Sequence, residues 1–299
     1  MGAWGVGLYA HDTAADLRDD FKEVARAPWD GARLLAWALE RYPSASTPAD
    51  EEYTVVRLVL ADLFWLCAID HPPTMEAARR IVADGQDLAA MRALGMSERD
   101  LQRRAHMLDA LAARWQIPNP KPRPRRILTQ PEPFVLEVGE CLTYPLREGE
   151  PYNPYVGPRR EEGFYGGRWT PDGWGAACVL ARWHQYDVFA RYLMAVLRYH
   201  APIKPALADL PGQSILSYRS VSGRSYRTIQ VASTSREHLA RMRVEIVGRL
   251  EVKPAAVAAE YAPEKLATWA SAEFAEYAHA SPHLAQAVVV DDPLAPYLA

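Results

Sequence analysis

The sequence predicts an α+β protein: an N-terminal helical bundle, a Pro-rich linker, and a C-terminal small antiparallel β-barrel or curved sheet with helices. Three observations predict it. Apolar residues recur at helical spacing from about residue 12 to residue 115. Residues 118–126 then read Pro-Asn-Pro-Lys-Pro-Arg-Pro-Arg-Arg, where alternating proline forbids a helix and favours an extended chain. Beyond residue 134 the apolar runs shorten and are broken by Gly, Pro and Ser, as strands are. The predicted parts are residues 1–117, a basic linker at 118–133, and a β-rich part at 134–299.

The helices follow from their faces and caps. Asp12 or Thr13 can cap a helix carrying Ala14, Leu17, Phe21 and Val24, with Asp16, Asp19 and Asp20 in the opening turns where the helix dipole favours acid. Pro28 ends it. Trp29 to Tyr42 presents Leu34, Leu35, Trp37, Ala38 and Leu39. A third helix opens at Asp50–Glu52 and runs through Val55, Val56, Leu58 to Leu60 and Leu63 to Leu66. Its apolarity all round predicts a central, buried position. Pro72 and Pro73 stop that run. Thr74 to Ala83 and Ser97 to Trp115 complete the bundle.

In the linker, Lys121, Arg123, Arg125 and Arg126 make the chain strongly basic. A semi-rigid spacer is the plain reading; a basic arm for an acidic partner or nucleic acid, or a ligand of a proline-binding domain, are the alternatives. Both flanks are net acidic, and nine residues without a basic face do not make a nucleic-acid footprint.

Phe134 to Leu146 predicts a strand with a turn at Gly149. Trp174 to Trp183 predicts another. Phe189 to Tyr199 reads as a strand, although Tyr192, Val196 and Tyr199 also fit a short helix. Ile215 to Arg219 and Tyr226 to Val231 predict a strand pair around Ser222-Gly223. Ser235 to Val244 and Glu264 to Tyr277 predict helices. No repeat of fixed period occurs.

Composition bounds the rest. The chain has 299 residues, 49% of them hydrophobic, and a net charge of −3. Overall charge gives no case for nucleic acid or an anionic membrane. No run of about 18 apolar residues predicts a membrane span, and the acidic first twenty residues do not read as a secretory signal. Three cysteines, Cys67, Cys141 and Cys178, lie far apart among apolar residues. They make neither a disulfide framework nor a zinc pattern, so buried thiols in a reducing cytoplasm are expected. No cofactor or metal motif is found.

The N-terminus, Met-Gly-Ala-Trp-Gly-Val-Gly-Leu-Tyr-Ala-His-Asp, is the most specific stretch. Its glycines allow close backbone approach and positive φ. Without a preceding strand or a following Lys-Ser/Thr they do not make a phosphate loop. Trp4, Gly5, Gly7, Tyr9 and Asp12 are therefore expected to anchor the segment on the bundle. His11, Asp12 and Asp16 have a spacing open to a metal, but a capped helix start is the simpler reading.

Met1, Gly2, Ala3, Trp4, Gly5, Gly7, Tyr9, Asp12, Ala14, Ala15 and Asp16 resemble the start of a family of bacterial domains of unknown function with a Met-Gly-(Ala/Thr)-Trp-Gly-x-Gly motif. Val138-Gly-Glu-Cys-Leu-Thr-Tyr-Pro-Leu is similar to the first strand, Gly-Asp-x-x-Ala-x-Pro-Leu, of small-barrel domains in a bacterial immunity-protein family, with Glu140 and Thr143 departing from the pattern. Gly175 to Val179 matches a later Gly-x-x-x-Val strand there. Neither resemblance brings a catalytic residue; the second implies a protein that binds and blocks a partner toxin.

Two surfaces carry functional expectations. The stretch from Pro151 to Gly173 and the following Trp174 hold Tyr152, Tyr155, Arg159, Arg160, Phe164, Tyr165, Arg168, Trp169 and Trp174. Tyr, Trp and Arg dominate protein interfaces and also stack bases. His184 with Asp187 is the one candidate for a general base and its orienter, with no nucleophile motif beside it. The expected function is a non-enzymatic binding protein of the bacterial cytoplasm, possible roles lying in immunity or in phage and toxin conflict. A nucleic-acid-associated factor and a hydrolase-type enzyme centred on His184 and Asp187 are the alternatives. Nothing in the sequence sets an oligomeric state.

Overall fold

The computed structural model describes residues 5–50, 52–152, 170–219, 225–227, 229–261, 272–274 and 293–299. The fold is α+β, with helices and a curled, half-barrel antiparallel sheet. The chain divides into two compact units, Met1–Thr129 and Gln130–Ala299.

The first unit holds α1 (Asp12–Val24), α2 (Gly31–Arg41), α3 (Tyr53–Leu66), α4 (Pro72–Ala83), α5 (Gln86–Ala93) and α6 (Glu98–Arg114). Helix α3 is central, and its residues from Thr54 to Phe64 are buried apart from Arg57. The cap of α1 is His11, not Asp12 or Thr13: His11 is extended and its Nδ1 accepts the Thr13 amide at 3.2 Å. Asp12 is the first helical residue and is exposed. The Thr13 hydroxyl donates instead to Glu52 at 2.5 Å. Pro72 and Pro73 do not terminate the third helix, which has already ended at Leu66. They open α4, where the missing amide costs nothing.

Residues of the predicted linker are hydrogen-bonded to the helical unit. Helix C-termini leave carbonyls without partners, and this stretch supplies donors to two of them. Asn119 Nδ2 donates to the Trp65 and Leu66 carbonyls at the end of α3, each at 3.3 Å, and the Arg123 amide donates to Leu66 at 2.8 Å. Arg125 donates to the carbonyls of Ala25, Ala27 and Trp29 at 2.8–2.9 Å, just past the end of α1. A cation there also meets the negative end of the helix dipole.

The second unit is built on β1 (Glu140–Arg147), β2 (Glu150–Pro151), β3 (Gly173–Gln185), β4 (Phe189–Ala201), β5 (Ser217–Arg219), β6 (Ser225–Arg227), β7 (Ile229–Ser233), β8 (Glu245–Arg249) and β9 (Ala272–Glu273). The main sheet runs β2-β1-β3-β4-β7-β9, with β8 also on β1, and β5 pairs with β6 separately. Helices α7 (Arg236–Arg241) and α8 (Pro254–Glu260) accompany it.

Both sheet faces are covered. Leu142, Tyr144, Val179, Tyr192 and Met194 belong to one core, and Cys141, Cys178, Leu193, Ala195 and Leu197 to the other. This is why β4 is apolar from Tyr192 to Leu197, a run that also fits a helix. Segment 272–273, inside a predicted helix, is strand: Ala232 and Ala272 pair in parallel. Residues 264–271 and 275–277 of that predicted helix, and Ser222-Gly223, lie outside the described residues.

Two glycines of the barrel-like motif are required by the packing. Gly139 has φ +87°, and a Cβ there would sit 2.1 Å from the Leu250 carbonyl oxygen. A Cβ on Gly175 would meet the Tyr144 ring at 2.6 Å.

Candidate functional site

The site begins where α3 ends. After Leu66 and Cys67 the chain turns through Ala68 at φ 50°, a left-handed conformation usually held by glycine. The Ala68 amide donates to the Trp65 carbonyl at 3.2 Å and the Ile69 amide to Phe64 at 2.9 Å. That double closure stops the helix abruptly. It leaves the outer side of Phe64 and Trp65 facing a hollow whose other walls are the start of α4 and the end of α6.

This hollow has a volume of about 390 Å³, inside the range of small-ligand and anchor pockets. Phe64, Trp65 and Trp115 give it an aromatic wall. Met75 and Ile117 add apolar surface, and Asp70, His71 and Arg79 stand around it. Ile117 is 67% exposed.

A buried carboxylate organises the wall. Asp62, one turn before Trp65 on α3, accepts from Tyr9 Oη at 2.8 Å, from Trp115 Nε1 at 3.3 Å and from Arg114 Nη2. The Arg114 guanidinium also lies 4.4 Å from the Trp65 ring centroid, a cation–π contact. Trp65 Nε1 donates to the Ile117 carbonyl at 2.7 Å. Both indoles are thus locked from behind while their rings bound the hollow. Burial, reinforced by the Asp62 charge and hydrogen bond, pushes the Tyr9 hydroxyl far above its ordinary pKa, so it stays protonated as a donor.

The polar groups differ in their commitments. His71 Nδ1 lies 2.8 Å from the Thr74 hydroxyl, and its ring stands edge-on to Phe64 at 6.1 Å. Asp70 and Arg79 form no hydrogen bond or ion pair among the described residues, which leaves one carboxylate and one guanidinium available at the same opening.

A second hollow of about 600 Å³ is lined by Gly5, Val6, Met91, Leu94, Met96 and Arg103, among others. No aromatic side chain lines it among the described residues, and the residues that precede Gly5 lie outside them.

The sequence-predicted residues are distributed as follows. His184 and Asp187 do not form a dyad. Tyr186 and Asp187 have φ 54° and 64° and make the tight turn between β3 and β4, with Asp187 exposed at its tip. His184 lies back along β3 opposite Ala190, stacked on Phe134 at 4.3 Å, with Nε2 2.8 Å from the Glu132 carbonyl. Asp187 lies within that turn, while His184 is on the strand before it with its ring against Phe134 and Glu132.

Of the aromatic and Arg-rich stretch, Tyr155, Arg159, Arg160, Phe164, Tyr165, Arg168 and Trp169 lie outside the described residues. Tyr152 follows β2 and is half-buried. Trp174 is half-buried on β3 opposite Pro145, with Lys204 Nζ 5.5 Å from its ring centroid. Lys121, Arg123 and Arg126 are exposed, whereas Arg125 is spent on backbone carbonyls.

Trp4 lies outside the described residues. Gly5 approaches Ala10, to whose Cβ a Cβ on Gly5 would lie 3.1 Å, and Gly7 does not use positive φ. The Gly7 carbonyl accepts from the Ala10 amide at 3.0 Å and from Arg104 at 3.2 Å. His11 is committed to the α1 cap, and no group of three metal-binding side chains occurs among the described residues. No described helix is long and apolar enough to cross a membrane.

The aromatic hollow was not read from the sequence. Two signals for it existed: the single acid, Asp62, within the most apolar helix, and the Trp115–Ile117 pair immediately before the proline run. Comparison with protein-family models, curated proteins and solved structures finds no match for the chain.

Proposed function

We propose that the protein is a non-enzymatic binding protein of the bacterial cytoplasm that holds an apolar anchor side chain of a partner polypeptide in the Trp65–Trp115 hollow. The observation that carries this reading is the hollow itself. It is aromatic-walled and rigidly backed, with exposed Ile117 and the uncommitted Asp70 and Arg79 beside it. Interface hot spots have this anatomy: a desolvated apolar pocket enriched in Trp and Arg, with polar groups around it fixing orientation. The resemblance of Val138–Leu146 to the immunity-protein strand agrees with a protein that acts by occupying a partner, in toxin or phage conflict.

The test uses a photo-crosslinking residue at Ile117 in cells, followed by affinity measurement with the purified partner so identified. Ile117→Asp and Met75→Asp are expected to weaken that affinity at least tenfold, and Ile203→Asp, on the other unit, to leave it unchanged. Equal affinity of all four proteins would overturn the reading.

A second reading, nucleic-acid binding, rests on exposed Lys121, Arg123 and Arg126. It requires affinity for single-stranded DNA or RNA that falls steeply with salt. A flat titration at low salt dismisses it.

A further inference from the structure

Cys141 and Cys178 are far apart in the chain, yet the β1–β3 register makes them direct cross-strand partners. Both side chains lie in the same apolar core, so both project from the same face of the sheet. Both are free thiols with no exposed surface. Opposed residues of an antiparallel pair have Cα atoms about 4.5–5.5 Å apart. A disulfide needs about 4.4–6.8 Å. The strands therefore already stand at bonding separation.

Little holds the thiols in their present contacts. Cys141 Sγ lies 3.7 Å from the Gly139 carbonyl oxygen and Cys178 Sγ 4.0 Å from that of Val179, long contacts even for sulfur. The two thiols also act on each other. A hydrogen bond from Cys178 lowers the Cys141 pKa, and the same contact, with burial, raises that of Cys178. The two sulfurs titrate as one coupled pair, so a thiolate on one has the other beside it as the resolving thiol.

We propose that Cys141 and Cys178 form an oxidisable dithiol within the sheet, closed to a cross-strand disulfide by hydrogen peroxide. The Cys141 thiolate attacks one peroxide oxygen; the O–O bond breaks, one water leaves after proton transfer, and Cys141 becomes a sulfenic acid. The Cys178 sulfur then attacks the Cys141 sulfur, its proton leaves with the departing hydroxyl as a second water, and the S–S bond forms. Two electrons pass from the two sulfurs to one peroxide. Burial sets the oxidant class. A neutral molecule little larger than water reaches a site with no exposed surface, whereas glutathione disulfide, large and charged, does not. This site is independent of the Trp65–Trp115 hollow.

The experiment uses the full chain carrying Cys67→Ser, in which these are the two remaining cysteines of three. Wild-type protein with the half-buried Cys67 first capped by N-ethylmaleimide serves if that variant does not fold. The folded protein is exposed to hydrogen peroxide or to glutathione disulfide, denatured, alkylated and analysed by mass spectrometry. Peroxide is expected to yield an intramolecular peptide pair joined through Cys141 and Cys178, reversed by dithiothreitol. Glutathione disulfide is expected to yield none. The oxidised protein is expected to melt about 5 °C higher, because the cross-link restricts the unfolded chain. Two free thiols after peroxide treatment of folded protein, sulfinic acid on one cysteine without a bond, or equal closure by glutathione disulfide would overturn the proposal.

Discussion

Arg104 and Asp87 form a fully buried, bidentate ion pair, with Nε to Oδ2 at 2.6 Å and Nη2 to Oδ1 at 3.0 Å. The pair ties α6 to α5. Its third arm, Nη1, donates to the carbonyls of Val6 and Gly7 at 3.3 and 3.2 Å. The Thr54 hydroxyl, 3.4 Å from Asp87 Oδ1, adds a weak donor from α3. The Val6–Gly7 backbone is therefore held through its oxygens, by an arginine about a hundred residues away. Tyr9, hydrogen-bonded to Asp62, provides the second hold.

Replacing Arg104 by Met is expected to destabilise the protein by about 3–5 kcal/mol, because it leaves the Asp87 carboxylate buried without its cation. The double variant Arg104→Met, Asp87→Leu should recover much of this loss, since no buried charge remains. Chemical denaturation of the wild type and the two variants checks the energies. Hydrogen exchange at residues 8–10 separately reports the lost carbonyl contacts and should rise in both variants. A double variant as unstable as the single one would show that the pair stabilises by more than mutual neutralisation.

Ala68 at the rim of the aromatic hollow offers the opposite sign. A left-handed alanine costs about 1 kcal/mol relative to glycine. Ala68→Gly removes that strain but adds freedom to the unfolded chain. The net expectation is a gain of about 0.5 kcal/mol, read as a higher denaturation midpoint. A loss would show that the Ala68 methyl is itself part of the packing.

The helical half was legible because its signals are local. Ser97 caps α6 and Arg114 ends it, near the boundaries that capping and periodicity predict. His11 was not legible as a cap. Its type ranks low for that role, and only burial beside Thr13 gives its ring the amide to accept. Strands β1, β3 and β4 were legible as apolar, β-prone runs. Strand β8 was not, because Gly248 and its exposed ends, Glu245 and Arg249, leave too short an apolar run to mark a strand. The aromatic hollow was not legible because Trp65 and Trp115 come from different helices and meet around Asp62. The same is true of Cys141 and Cys178: sequence distance hid a pairing that strand register creates.

His238 gives a pH prediction whose sign follows from burial. It lies buried on α7, and burial, with Arg241 close by, pushes its pKa down from 6.5 to about 4. The folded state therefore holds a neutral imidazole, while the unfolded chain takes up a proton below pH 6.5. Between these values the unfolded state binds more protons, so stability falls as pH falls. The full difference amounts to about 3 kcal/mol once the pH is below both values. Part of that loss should already be visible between pH 6.5 and 5. This precedes the window below about pH 4.5 in which carboxylates such as Glu52 titrate: its pKa is lowered, the hydrogen bonds from Ser44 and Thr13 outweighing an opposing effect of burial. His238→Gln should flatten the stability profile between pH 6.5 and 5 and leave the acid limb in place. Urea denaturation at half-unit pH steps measures both. An unchanged slope in the variant would assign the upper limb to another group.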